Sequence, residues 1–169
     1  MCRQKRKHIM FTPEHLHVAL NHAALIGLAV AIIPLLIGLI RKDRGALLSG
    51  LLIVLICGLS IPVVMETGEG AAERLATGEA GVQMDNGAAV FLEQHEERAE
   101  VTAVFVYIAA AIAAIGLLIM RFAPAYQYNA AAVLLAACII CTALLIWTAE
   151  AGGRIRHLEF RPATSRAAP

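Results

Sequence analysis

Four stretches without a single charged residue dominate this sequence: Ala23 to Ile40, Ala46 to Met65, Val101 to Met120 and Ala130 to Ala149. Each has about 20 residues, the length an α-helix needs to cross a hydrocarbon layer ~30 Å thick. No water reaches peptide groups inside a bilayer, so such stretches must close their hydrogen bonds internally, as helices. Composition agrees, with 59% hydrophobic and only 16% charged residues. The mean hydropathy is +0.71, whereas soluble domains run at roughly 45–50% apolar and 25% charged. Ala, Gly, Leu and Ile far outnumber the 5% of aromatic residues, as expected where helices pack through small side chains in lipid. The expected fold class is all-α: an integral membrane four-helix bundle, antiparallel, in one domain.

Residues 1–12 read as an N-terminal tail, and Met10 is the expected native start. It directly precedes Phe11-Thr12-Pro13-Glu14, a helix start with Thr as N-cap and Pro at the first position. The apolar run that follows is too long for a signal peptide and lacks a small-x-small cleavage site, so it is a spanning anchor. The four-span domain is expected over 13–161, with an extramembrane loop at 66–98 and a disordered tail at 162–169. Pro34 is expected to kink the first helix. The loop is rich in turn residues, with Gly78, Gly81, Asn86 and Gly87. Gly152-Gly153 reads as the C-cap of the fourth helix, and Trp147 lies where aromatic residues favour the interface.

With four spans, the N-terminus, the 66–98 segment and the C-terminus share one face, and two short turns share the other. All six histidines and twelve of the thirteen carboxylates fall on the first face. A weak internal echo accompanies this. A shift of 84 residues superposes Cys57 on Cys141, Glu66 on Glu150 and Gly68 on Gly152, and a shift of 80 places His15 on His95. This is the pattern of a duplicated helical hairpin.

The short turns carry Arg41, Lys42, Arg44 and Arg121, while ten of the fourteen basic residues lie on the histidine face. The positive-inside rule weighs charge density beside the spans, and by density the Arg41 turn is the cytoplasmic side. The expected location is the inner membrane, multi-pass, with the histidine face external, or periplasmic in a Gram-negative host. The net charge of +1, with no sustained basic face, argues against nucleic acid. Cys57, Cys138 and Cys141 sit inside apolar runs, where cysteine acts as a small hydrophobe rather than a zinc thiolate. The uncharged spans also give a transport pathway little to work with.

His15 and His22 stand two helical turns apart on nearly one face, whereas His17 is expected to point elsewhere, in line with Asn21. Glu66, Glu69 and Glu73 share a face if the second helix continues past the membrane, as do Glu93, Glu96, Glu97 and Glu100 ahead of the third span. Together they suggest a metal site built from His15, His22, Glu66, Glu69, His95, Glu96 and His157. Mixed imidazole and carboxylate ligands suit Zn, Mn or Fe, although the Glu-x-x-His spacing of di-metal bundles is missing. Haem b is the other cofactor expected, held non-covalently by His22 with His95 or His157 across facing helices; no Cys-x-x-Cys-His is present for covalent attachment. The competing reading is a structural or interaction subunit without cofactor, in which Arg154, Arg156 and Arg161 pair with Glu66, Glu69 or Glu73.

These motifs resemble an uncharacterised bacterial family of small four-helix predicted membrane proteins, a domain of unknown function. Its members carry His-Leu-His-x-x-Leu-Asn-His-Phe-Pro, then Thr-Gly-Glu-x-Ala-Glu-Glu, a His-Glu pair and Gly-Gly-x-Ile-Arg-His-x-Glu-Ile-Arg. Here the corresponding residues are His15 to His22, Thr67-Gly68-Glu69 with Glu73, His95-Glu96, and Gly152 through Arg161. Ala23-Ala24 replaces Phe-Pro, and Ala72 replaces a glutamate. The resemblance runs from Met10 over nearly the whole chain and implies the fold but no activity. The partners expected are the lipid bilayer and other membrane or periplasmic redox proteins.

Overall fold

The computed structural model describes residues 12–80 and 84–162. The Met10 start, His8, Cys2 and the tail from 163 onward lie outside the described residues. Four helices follow one another: α1 (Pro13–Arg41), α2 (Arg44–Ala76), α3 (Asn86–Phe122) and α4 (Gln127–Arg156). All four are long and apolar enough to cross a membrane, and α1 runs without interruption through Pro34. In an antiparallel square, α1 packs on α2, α2 on α3, α3 on α4 and α4 back on α1.

The inward residues recur at alternating steps of four and three. They are Ala24, Leu28, Ala31, Leu35 and Gly38 in α1, and Leu47, Leu51, Val54, Gly58 and Ile61 in α2. The same rhythm gives Thr102, Val106, Ala109, Ala113, Gly116 and Met120 in α3, and Ala131, Leu134, Cys138, Cys141, Leu145 and Thr148 in α4. This is a heptad seam, the geometry of helices crossing at about +20° in left-handed bundles. Small residues on it let backbones approach closely: a methyl group on Gly38 would stand 2.6 Å from Leu47 Cγ. The outward stripe is greasier than the seam. Ile26, Ile33 and Ile40 repeat every seven residues along α1, at 58%, 58% and 77% exposure. A soluble bundle would hide such residues and expose polar ones. The inverse arrangement makes this a multi-pass membrane protein.

At the end that carries the histidines the helices outrun the hydrocarbon. The second helix does not give way to a loop at Glu66 but continues to Ala76, and α3 begins at Asn86. Asp85 caps α3 by accepting the Ala88 N–H at 2.7 Å. Gly152 and Gly153 do not end α4, which runs on to Arg156 and is capped at His157. The helix continues because its face at these glycines is occupied by other side chains, described below. After a single 3₁₀ turn at Leu158–Phe160, the buried Arg161 folds back. Its guanidinium donates to the Arg154 and Ile155 carbonyls at 2.7 and 2.8 Å, and to Asp85 Oδ1 at 2.8 Å. One side chain thus satisfies orphan carbonyls of α4 and ties them to the cap of α3. The expected pairing of Arg154, Arg156 and Arg161 with Glu66, Glu69 or Glu73 is replaced by closer partners. Arg154 pairs with Glu150 at 2.7 Å, one turn away on its own helix, and Arg161 with Asp85.

Candidate functional site

Extending each heptad seam past the membrane leads to one place. One heptad before Ala24 stands His17, and one before Thr102 stands His95; one heptad after Ile61 stands Gly68, and one turn after Thr148 stands Gly152. The two histidines therefore point into the bundle axis, and the two glycines make room for them. Nδ1 of His17 donates to the Val64 carbonyl at 3.0 Å, and Nδ1 of His95 donates to the Thr148 carbonyl at 2.9 Å. A methyl group on Gly68 would stand 2.9 Å from His17 Cε1, and one on Gly152 3.1 Å from His95 Cε1. In both hairpins the accepting carbonyl lies four residues before the glycine. The internal echo is therefore a structural one, with His17 rather than His15 as the counterpart of His95.

Carbonyl oxygens only accept, so Nδ1 carries a proton in both rings, which leaves Nε2 as the nitrogen able to serve as a ligand. Among the described residues neither Nε2 has a hydrogen-bond partner. The rings face each other edge-on, with centroids 6.2 Å apart and planes at 90°. Beneath them, away from the cavity mouth, Thr102 and Thr148 share a buried hydroxyl contact at 2.8 Å.

The pair lies in a cavity of about 990 Å³ at this end of the bundle. That is the upper end of the usual range for small-molecule sites, roughly 300–1,000 Å³. Its lining includes His15, His22, His157, Glu69, Glu96 and Arg156. Cross-helix ion pairs brace its walls: Arg74 of α2 holds Glu14 of α1 at 2.7 Å, and Arg98 of α3 reaches Glu150 of α4 at 3.5 Å. Arg98 also covers the Trp147 ring at 4.4 Å.

The other candidates sit at the periphery. His15 is exposed and bonds Thr12 Oγ1 at 2.9 Å, which leaves Thr12 without the expected capping bond to the α1 backbone. His22 is exposed, with Nδ1 on the Val18 carbonyl of its own helix at 2.6 Å. His157 pairs with Glu159 at 3.0 Å. Glu69 and Glu96 line the cavity but are exposed, and Glu66 is exposed without lining it. Among the described residues no three His, Cys, Asp or Glu side chains come together in an arrangement that could hold a metal ion. The seven-residue ligand set is thus not gathered, and neither His22–His95 nor His22–His157 forms an opposed pair. The expectation that His17 points away is reversed, because the inward face of α1 is set by the Ala24, Ala31, Gly38 stripe rather than by the other histidines. No protein-family model, characterised protein or solved structure matches the chain.

Proposed function

We propose that this membrane protein binds a histidine-ligated cofactor in its cavity, between His17 and His95, and serves as a redox-associated membrane subunit. One observation carries the reading: two imidazoles 6.2 Å apart on different hairpins, each bonded through Nδ1 to a helix carbonyl, both lining one cavity. Histidines that ligate metals characteristically donate their second nitrogen to a carbonyl or carboxylate, which fixes tautomer and ring direction. With metal–nitrogen bonds of about 2.0–2.1 Å, two imidazoles on opposite sides of one ion stand about 6 Å apart between centres. The 6.2 Å separation is compatible with that.

Haem b is the group that fits the donor set best, because its ring supplies four nitrogens and asks the protein for only two axial ligands. The cavity of about 990 Å³ has room beside the two rings, and Arg156 in its wall offers a cation to a carboxylate. A bare divalent ion such as Zn, Mn or Fe needs additional ligands, for which Glu69 and Glu96 are the nearest class of donor in the cavity wall. The test is purification of the full chain in mild detergent, addition of haem, a visible spectrum for a Soret band, and elemental analysis for bound metals. His17→Ala and His95→Ala should each abolish cofactor retention, whereas His22→Ala should keep it. Absence of both haem and metal, or retention in both variants, overturns the proposal.

The ion pairs that brace the cap favour a second reading, a structural or interaction subunit without cofactor. Arg74–Glu14, Arg98–Glu150 and Arg161–Asp85 each join different elements. Under that reading His17→Ala changes stability alone and no spectrum develops in the wild type.

A further inference from the structure

The opposite end of the bundle carries a second, chemically distinct feature, independent of the histidine pair. Its two turns hold Arg41, Lys42, Arg44 and Arg121 against a single carboxylate, Asp43. Asp43 is committed to capping α2, its Oδ1 accepting the Gly45 and Ala46 N–H groups at 2.8 and 3.2 Å. Among the described residues none of the four cations forms an ion pair with a carboxylate. Lys42 lies over the Tyr128 ring at 4.3 Å and Arg121 over the Phe122 ring at 5.3 Å.

Two of these cations, Arg44 of α2 and Arg121 of α3, flank a groove of about 290 Å³ whose remaining walls are Gly45, Leu48, Leu117 and Met120. Arg44 is held there by one bond, Nη2 donating to the Met120 carbonyl at 2.8 Å. A guanidinium has five N–H donors, so most of the donor capacity of Arg44 is left for something else, and Arg121 donates to nothing described. Below the arginines the groove runs onto outward-facing apolar side chains, with Leu48 and Leu52 at 42% exposure and Leu118 at 58%. Two unneutralised guanidiniums above an apolar furrow between spanning helices call for a ligand with a negative head and a hydrocarbon tail.

We propose that this groove binds an anionic phospholipid, its phosphate at Arg44 and Arg121 and an acyl chain along Leu48 and Leu117. Basic pockets between spanning helices are suited to such headgroups, each basic residue contributing a factor of about five in affinity. A free anion would gain nothing from the apolar floor, and a zwitterionic lipid would bring its own cation to two arginines.

Native mass spectrometry of the full chain in detergent, titrated with phosphatidylglycerol or with phosphatidylcholine, tests this directly. Wild type should bind the first in preference to the second. Arg121→Gln leaves the Arg44–Met120 bond intact and should weaken phosphatidylglycerol binding about fivefold, and the double variant with Arg44→Gln about thirtyfold. Arg154→Gln, at the other end of the bundle and outside the histidine cavity, should leave both lipid affinities unchanged. Equal binding of the two lipids by wild type, no effect of Arg121→Gln, or displacement of the lipid by millimolar inorganic phosphate would each overturn the proposal.

Discussion

Placing a methyl group at Gly68 should unseat His17, and the cost can be worked against a control two residues away. Alanine in place of a helical glycine ordinarily stabilises by about 1 kcal/mol. At Gly70 the nearest foreign atom to an added Cβ is Pro13 Cβ at 3.5 Å, an ordinary contact. Gly70→Ala should therefore show close to the full gain of about 1 kcal/mol. At Gly68 the same Cβ meets His17 Cε1 at 2.9 Å and Nδ1 at 3.0 Å. The ring must move, and the 3.0 Å bond to the Val64 carbonyl moves with it. Overpacking costs about 1–3 kcal/mol and the lost hydrogen bond about 1 kcal/mol. Set against the propensity gain, Gly68→Ala should destabilise by about 1–3 kcal/mol. Two chemically identical substitutions in one helix are thus expected to differ in sign. Reversible denaturation in detergent measures both, and nitrogen NMR of labelled histidine reports whether Nδ1 of His17 remains protonated and bonded. If Gly68→Ala stabilises as much as Gly70→Ala, with an unchanged His17 spectrum, the seating of the ring against that glycine is wrong.

Gly152→Ala should perturb His95 in the same way, by a smaller amount because the approach is 3.1 Å, and an unaltered His95 resonance would refute it. The Arg161 guanidinium, followed by the Ala88 N–H, holds the Asp85 carboxyl below its ordinary range. A carboxyl lowered by folding contributes stability above its unfolded pKa and loses it as pH falls through the folded value. Docking of residues 157–162 should therefore weaken on acidification, and Asp85→Asn should flatten that dependence; hydrogen exchange across the segment decides. Thr102→Val removes one side of the buried hydroxyl contact while Thr148 keeps its 2.9 Å bond to the Leu144 carbonyl. The loss should be about 0.6 and no more than about 1.7 kcal/mol, as for other interhelical hydrogen bonds in membranes, and a substantially larger loss in unfolding experiments would mean the pair organises more than itself.

The spans were legible because lipid leaves the backbone one economical option, and uncharged runs of sufficient length declare it. The face of each helix was harder to read. Histidines 15, 17 and 22 look alike on a wheel until something says which side meets a neighbour. That information is present in Ala24, Ala31 and Gly38, whose seven-residue spacing extends back to His17, and it lies in small residues rather than in polar ones. The end of α4 is hard to read for a related reason. Gly152-Gly153 resembles punctuation, yet Gly152 gives clearance to the His95 ring and the helix continues through it. The i,i+4 pair of Glu150 with Arg154 is written in helical spacing, but the long-range partners are not, since Arg161 reaches Asp85 across 76 residues of sequence, a contact set by how the chain end folds back.

Because His17 and Val64 belong to the first hairpin, and His95 and Thr148 to the second, neither half of the molecule owns the cavity. It exists only while the hairpins are clasped. Any molecule bridging the two rings would act as a third fastener beside the apolar seam and the ion pairs, lending the clasp a free energy that grows with the logarithm of its concentration over its dissociation constant. Filling the cavity and holding the hairpins together are then a single event, so the bundle's resistance to parting at this end becomes a gauge of what occupies it.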